Sequence, residues 1–379
     1  MRSPFPLTES CFGRSAARAL RRFEKFARFP CRGLFGEGRS DELNKSARSC
    51  DPRQTTLDRS ARTLSDRSEI VALCGGVGAA RFLRGLLRAV PAERVAAVIN
   101  TGDDATFYGV HVSPDLDSVT YTLAGVVDEE RGYGLHGDTF HLLTALEQLG
   151  EATWFRLGDR DFATCLHRTL KLHRGESLTC ISDALRRCFG VNARLLPMSD
   201  ALCPTRIERA DGTRCHFQEY FVRDGAPPDA VGVDLRAAQS AAPAAGVLET
   251  IAAARTILVC PSNPVVSIGP ILALQGLRDV LRNHRAPIVA VSPLVGGAPV
   301  KGPAHHLLRA IGSEVSVRGV AELYVDFLDG FAIDHHDADA ASAVEALGIR
   351  CTVMDALMPT PERAEALARS ALALAEQCR

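Results

Sequence analysis

Four aspartates, Asp103, Asp104, Asp115 and Asp117, fall within fifteen residues of this chain, in the run "NTGDDATFYGVHVSPDLDSVTYTLAG". Carboxylates that converge on one site repel unless a proton or a cation intervenes. Two or three carboxylate oxygens, completed by substrate phosphate and water, are what magnesium prefers. Such a metal can neutralise charge on a phosphoryl group under attack. The plainer use of Asp115 or Asp117 is to cap a helix over Ser118–Leu123 by accepting its free N–H groups.

A second run, "LCGGVGAARFLRG", could hold the phosphate itself. Gly76-x-Gly78 follows an apolar stretch and opens helix-like spacing. Backbone N–H groups in such a loop can approach an anion, and the helix N-terminus adds a favourable dipole. The dinucleotide fingerprint is broken, because Arg81 stands where its third glycine belongs. Further along, Ser262 and Asn263 in "PSNPVVSIGPIL" suit a base or ribose, and Lys301 in a Gly/Pro-rich loop suits a phosphate. Arg156 precedes "LGDRDFAT" and can stack on an aromatic ligand or pair with an anion. Asp159 and Asp161 beside Arg156 and Arg160 also fit a surface salt-bridged turn. The pairs His305-His306 and His335-His336 are adjacent rather than helix-spaced, so they read as surface or cap residues.

The elements that must position these groups alternate. Strands are expected at Ile70–Cys74, Val95–Ile99, Thr256–Cys260, Ile288–Val291, Phe331–Asp334 and Arg350–Met354. Between the first two lies a helix with Phe82, Leu83, Leu86, Leu87 and Val90 on one stripe. Pro361–Gln377 reads as a terminal helix. This is the pattern of an α/β, Rossmann-like, three-layer fold with a mostly parallel sheet. In such sheets ligands bind beyond the carboxyl ends of the strands, where the glycine loop, Asn100–Asp104, Ser262–Asn263 and the loop of Lys301 all fall. A helical stretch and a hairpin turning at Asp211-Gly212 suggest an inserted subdomain at about 162–245. Residues 67–379 are then the α/β domain, and 1–66 a poorly ordered basic extension.

Composition narrows the class. The net charge of −1 divides into +6 over Met1–Glu69 and −7 over the remainder. An acidic body argues against nucleic acid as the partner. No apolar run reaches the roughly 18 residues that span a bilayer. The twelve cysteines are scattered without C-x-x-C. Cys74, Cys180, Cys188, Cys260 and Cys351 read as reduced core residues of a cytoplasmic protein.

Taken in order, "GGVGAARFLRGL", "NTGDDATFYGVHVSPDLDSVTYTLAG", "LGDRDFATCLHR", "LLPMSD", "HFQEYFV" and "PSNPVVSIGPIL" resemble the CofD/FbiA family over about residues 68–375. These are the 2-phospho-L-lactate transferases of deazaflavin coenzyme F-420 biosynthesis. The resemblance implies a magnesium-dependent homodimer. It implies that a guanosine-diphospho-activated phosphoacid (2-phospholactyl, phosphoenolpyruvyl or phosphoglyceryl) is the donor. The acceptor would be the ribityl hydroxyl of 7,8-didemethyl-8-hydroxy-5-deazariboflavin (FO), with GMP released. By the same resemblance Gly76, Gly78, Ser262, Asn263 and Lys301 hold the nucleotide diphosphate side. Asp103 serves the metal with Asp104 and Asp115, Asp117 orients or deprotonates the acceptor hydroxyl, and Arg156 lies along the deazaflavin. Two other readings of the glycine loop stay open at this level, an NAD-dependent oxidoreductase and a nucleotide-sugar-binding regulator of the YvcK type.

Overall fold

The computed structural model describes residues 69–379, so the expected extension over 1–66 lies outside the described residues. Seven strands build the central sheet: β1 (Ile70–Cys74), β2 (Val95–Ile99), β5 (Arg194–Pro197), β9 (Thr256–Val259), β10 (Ile288–Val291), β13 (Gly330–Asp334) and β14 (Arg350–Met354). Their order is β14-β13-β10-β9-β1-β2-β5, and every neighbouring pair is parallel. The inner strands β1, β2, β9, β10 and β13 are buried along their whole length. That is why they read as continuous Val/Ile/Ala/Leu runs rather than as alternating ones.

The strand period of two splits the core. Val71, Leu73, Val98, Ile257 and Phe331 face one side of the sheet. Ile70, Ala72, Cys74, Ala97 and Leu258 face the other, against α1 (Gly76–Ala89) and the C-terminal helix Pro361–Gln377. Those two helices cross closely. A Cβ on Gly85 would fall on the backbone carbonyl of Ala364, which cannot rotate away. Gly85→Ala is therefore expected to destabilise. The overlap costs about 1–3 kcal/mol and outweighs the roughly 1 kcal/mol gained by removing a helical glycine. A lower urea midpoint at unchanged slope checks it.

Three antiparallel features decorate the sheet among the described residues, the smallest being the pair β11 (Leu294–Val295) and β12 (Ala298–Pro299). The hairpin β3 (Ala105–Phe107) and β4 (Val110–Val112) turns at Tyr108 and Gly109, both at positive φ, as a type I′ hairpin turn requires. It runs between β2 and α2 (Pro114–Leu123), and so returns Asp115 to the neighbourhood of Asp103. The hairpin expected at Asp211-Gly212 is present as β6 (Arg206–Arg209) and β7 (Arg214–His216), and β8 (Ala230–Asp234) extends it to three strands. The stretch 162–245 is not one insert, however. The apolar "LLP" of β5 is buried at the sheet edge beside β2, and this divides a helical part from the three-stranded part. Along the chain, α3 (His141–Gln148), α4 (Asp159–His173) and α5 (Leu178–Cys188) follow α2.

No described helix is long and apolar enough to cross a membrane. All nine cysteines among the described residues are free thiols. Cys74 and Cys260 are buried as expected, and Cys351 is partly so. Cys180 and Cys188 are exposed instead, because α5 buries the face of Leu178, Ile181 and Ser182.

Candidate active site

From β1 the chain steps one way across the sheet to β2 and β5, then returns to the other side of β1 with β9. The carboxyl ends of β1 and β9 therefore flank a switch point, where an open α/β sheet forms its ligand crevice. Gly75–Gly78 leaves β1, Asn100–Asp104 leaves β2, and Ser262-Asn263 follows β9. The Ser262 hydroxyl accepts from the Gly75 N–H (3.2 Å), tying two of these loops together.

The glycines are demanded by close approach. A Cβ on Gly75 would lie 2.5 Å from Asp115 Oδ2 and 3.0 Å from the Asn100 Cβ, and one on Gly78 would lie 2.6 Å from the Pro261 carbonyl oxygen. Gly76 sits at φ +76°. No side chain caps α1, and its first turn carries no acid. The dipole of a fourteen-residue helix thus faces the crevice.

Asn100 organises the carboxylates. Its Nδ2 donates to Asp115 Oδ2 (2.9 Å), to Asp103 Oδ1 (3.3 Å) and to the Val266 carbonyl (3.3 Å), while its Oδ1 accepts from Gly102 N–H (2.8 Å). Gln218 Nε2 donates to the other Asp103 oxygen (2.9 Å). Burial, then the charge of Asp115, pushes the Asp103 carboxyl well above its usual range. Burial raises Asp115 to about 6, although the Asn100 amide and the Gly76 N–H favour its ionised form. Among the described residues, none of the main influences on either group is a cationic side chain. Two buried carboxylates bridged by one neutral amide, in an all-oxygen donor set, fit a hard divalent cation such as magnesium. Asp104 is differently engaged. Its Oδ2 accepts from Ser113 (2.7 Å) and contacts His111 Nε2 (3.0 Å), while its Oδ1 is buried without a partner.

Asp117 belongs to a neighbouring cluster. Neither it nor Asp115 caps a helix over 118–123, since α2 begins at Pro114 and both lie in its first turn. The fully buried Arg168 guanidinium pairs with Asp117 Oδ1 and donates to the His111 carbonyl (3.2 Å). Burial would lower Arg168, but the charge of Asp117 holds it well above its usual value. A carboxylate so paired is held in place to accept a further hydrogen bond. Beside it, Asp161 Oδ1 accepts from the Tyr121 hydroxyl (2.8 Å). Burial, then the charge of Asp117, raises Asp161 to about 7. The ligand atoms of Asp117, Asp161 and Cys165 lie within 4.8 Å of one another.

The family model for 2-phospho-L-lactate transferase CofD matches residues 70–356. The chain belongs to that family. It is 48% identical over 316 residues to a phosphoenolpyruvate transferase of Kitasatospora aureofaciens, covering 82% of this chain and 98% of the relative. It is 40% identical over 305 residues to a 2-phospho-L-lactate transferase of Methanosarcina acetivorans, covering 80% and 98%. A solved UPF0052-family structure from Bacillus halodurans shares the fold at TM-score 0.53 and 16% identity, over 81% of this chain and 99% of that one.

In this CofD transferase, the remaining residues expected at the site divide into loop braces and cleft walls. Ser262 braces the glycine loop, and the Asn263 oxygen caps the turn that follows by accepting from Val265 and Val266 N–H (3.0 and 3.3 Å). Lys301 reaches the Arg131 carbonyl (3.2 Å) beside Gly132 and Val77. Burial, then Arg81, lowers its ammonium from the usual value. Arg156 lies 4.5 Å over the Phe140 ring and shares a small cleft with Arg131, Tyr133, Gly134 and Asp161. Phe107 stacks on Phe155 at 4.0 Å next to Arg156 in sequence. The salt-bridged turn is absent. Asp159 accepts from Thr139 and from the His141 and Leu142 N–H groups, whereas Arg160 reaches the His136 carbonyl. Among the histidine pairs, the rings of His305 and His306 lie 3.9 Å apart, and His336 contacts Asp334, whose carboxylate caps the turn after β13.

The sequence alone gives no site role to Asn100, Gln218, Tyr121 or Arg168, and places Asp161 only in a surface turn. One signal was available: Asp161, Cys165 and Arg168 fall at i, i+4 and i+7, one face of a helix.

Proposed function

We propose that this transferase moves a phosphoenolpyruvyl group from a guanosine-diphospho-activated donor to the ribityl hydroxyl of FO, releasing GMP, as a step of coenzyme F-420 biosynthesis. The observation that carries the reading is the buried Asp103–Asp115 pair, held on Asn100 directly against the glycine loop. Phosphoryl transfer is chiefly positioning and charge neutralisation, and this corner supplies both. Higher identity to the phosphoenolpyruvate transferase than to the phospholactate enzyme supports the choice of phosphoacid.

Magnesium held by Asp103 and Asp115, with Asp104 adjoining, would supply neutralisation of phosphoryl charge. The N–H groups at the start of α1 and the Lys301 ammonium bind the diphosphate. Asp117, fixed by Arg168, accepts a hydrogen bond from the acceptor hydroxyl and aims its oxygen at phosphorus. Arg156 and the aromatic rings near it line the deazaflavin. The enzyme works in the cytoplasm, and as a homodimer in keeping with its family resemblance.

Mass spectrometry of products formed with FO and each activated phosphoacid in turn tests this. The expected major product carries the enolpyruvyl group. A product carrying only phospholactate or phosphoglycerate refutes the donor assignment, and no product with any donor refutes the acceptor. Arg156→Ala is expected to raise the apparent KM for FO about tenfold, roughly 1.4 kcal/mol, with donor affinity retained. Steady-state kinetics with each substrate varied separately checks this.

A further inference from the structure

The Asp117–Asp161–Arg168 cluster holds two buried carboxylates and one guanidinium. With both carboxylates ionised it carries an excess negative charge away from water, which is costly. Arg168 bonds Asp117 and not Asp161. Among the described residues Asp161 receives only the Tyr121 hydroxyl, on Oδ1, and its Oδ2 faces Gly134, where a Cβ would stand 3.8 Å away. That oxygen borders the cleft formed with Arg131, Tyr133, Phe140 and Arg156.

We propose that Asp161, rather than Asp117, takes the proton of the attacking hydroxyl. This rests on the transferase reading above, with a hydroxyl as acceptor. The hydroxyl oxygen forms the new bond to the phosphorus that carries the acid. The bond from that phosphorus to the leaving nucleoside monophosphate breaks, and its electron pair departs with the leaving phosphate. The hydroxyl proton passes to Asp161 Oδ2. Asp117 stays ion-paired and aims the hydroxyl; Asp161 is emptied and filled once per turnover.

The groups facing Asp161 are Asp117 and Tyr121 from α2, Cys165 and Arg168 from α4, and Asp138, which accepts from the Asp161 N–H (3.0 Å). Arg131, Tyr133 and Arg156 face the same cleft. Burial and the Asp117 charge raise the Asp161 carboxyl to about 7, while Tyr121 and Arg168 oppose that rise. A base of this kind works only when ionised, so the rate climbs with pH through neutrality.

The test is the pH profile of kcat at saturating magnesium and substrates. Wild type is expected to show a rising limb centred near pH 7. Asp161→Asn is expected to lose about 10²–10⁴-fold in kcat, the usual worth of a general base, and to lose the limb. Asp161→Glu restores part of the rate. Tyr121→Phe removes a hydrogen bond to the ionised form, so it moves the limb to higher pH; it also decides the matter if Asp161→Asn does not fold. An unchanged limb in Asp161→Asn, or in Tyr121→Phe, overturns the assignment while leaving the transferase reading intact. No product from wild type at any pH overturns both.

Discussion

Arg168→Met is expected to lose about 3–5 kcal/mol of stability, because it leaves Asp117 buried without its cation. Against a total of about 5–15 kcal/mol for a domain, this brings the protein near unfolding. The Arg168 side chain is fully buried, and among the described residues Asp117 is its only acidic partner within ion-pair distance. The loss arises from the stranded carboxylate, not from the missing hydrogen bonds alone. The double variant Arg168→Met/Asp117→Leu is therefore expected to regain most of the stability, since replacing both members of a buried pair with apolar groups is often neutral. Urea unfolding of the two single variants and the double one closes the cycle. A loss below about 1 kcal/mol for Arg168→Met, the level of a surface pair, contradicts the account of this cluster.

Asp115→Asn is expected to stabilise the metal-free protein at pH 8. Burial raises the folded-state Asp115 carboxyl from 3.8 to about 6, so the folded state holds more protons than the unfolded one between those values. Stability therefore falls as pH rises through that window, and the deficit persists above it. The lift corresponds to roughly 3 kcal/mol. Asp103, pushed up in the same direction by burial and by Asp115, deepens the effect. Thermal melts in EDTA should place the variant above wild type at pH 8, with a smaller gap at pH 5. Magnesium should raise the wild-type melting temperature at pH 8 and leave the variant nearly unmoved. A variant less stable than wild type at pH 8 in EDTA means that the carboxylate is not strained by burial.

The sheet was legible because the inner strands are buried on both sides and leave unbroken apolar runs bounded by glycine and proline. The glycine loop and the strand-end aspartates followed from that frame. The partition of the aspartates did not. Asn100 lies within the same quoted run, but Gln218 reaches Asp103 across 115 residues of chain, a distance that no local pattern spans. The β3–β4 hairpin, which returns Asp115 to Asp103, turns on Tyr108 at positive φ, an unusual residue for that position. Asp161 read as part of a surface turn because arginines surround it in sequence. In α4, however, Asp161, Thr164, Cys165, Arg168 and Thr169 form the buried stripe, so a polar helix face is turned inward to serve the site. Cys180 and Cys188 misled for the opposite reason, as apolar-looking residues on the outer face of α5.

The assignment of magnesium to the Asp103–Asp115 pair is tested most directly by initial rates of product formation across a magnesium titration, for wild type, Asp103→Asn and Asp117→Asn. Asp103→Asn removes a negative ligand, so it should require more magnesium for half-maximal rate and recover part of its activity in excess. Asp117→Asn should stay slow at every concentration. An Asp103→Asn enzyme with the magnesium dependence of wild type would place the metal elsewhere and contradict the account.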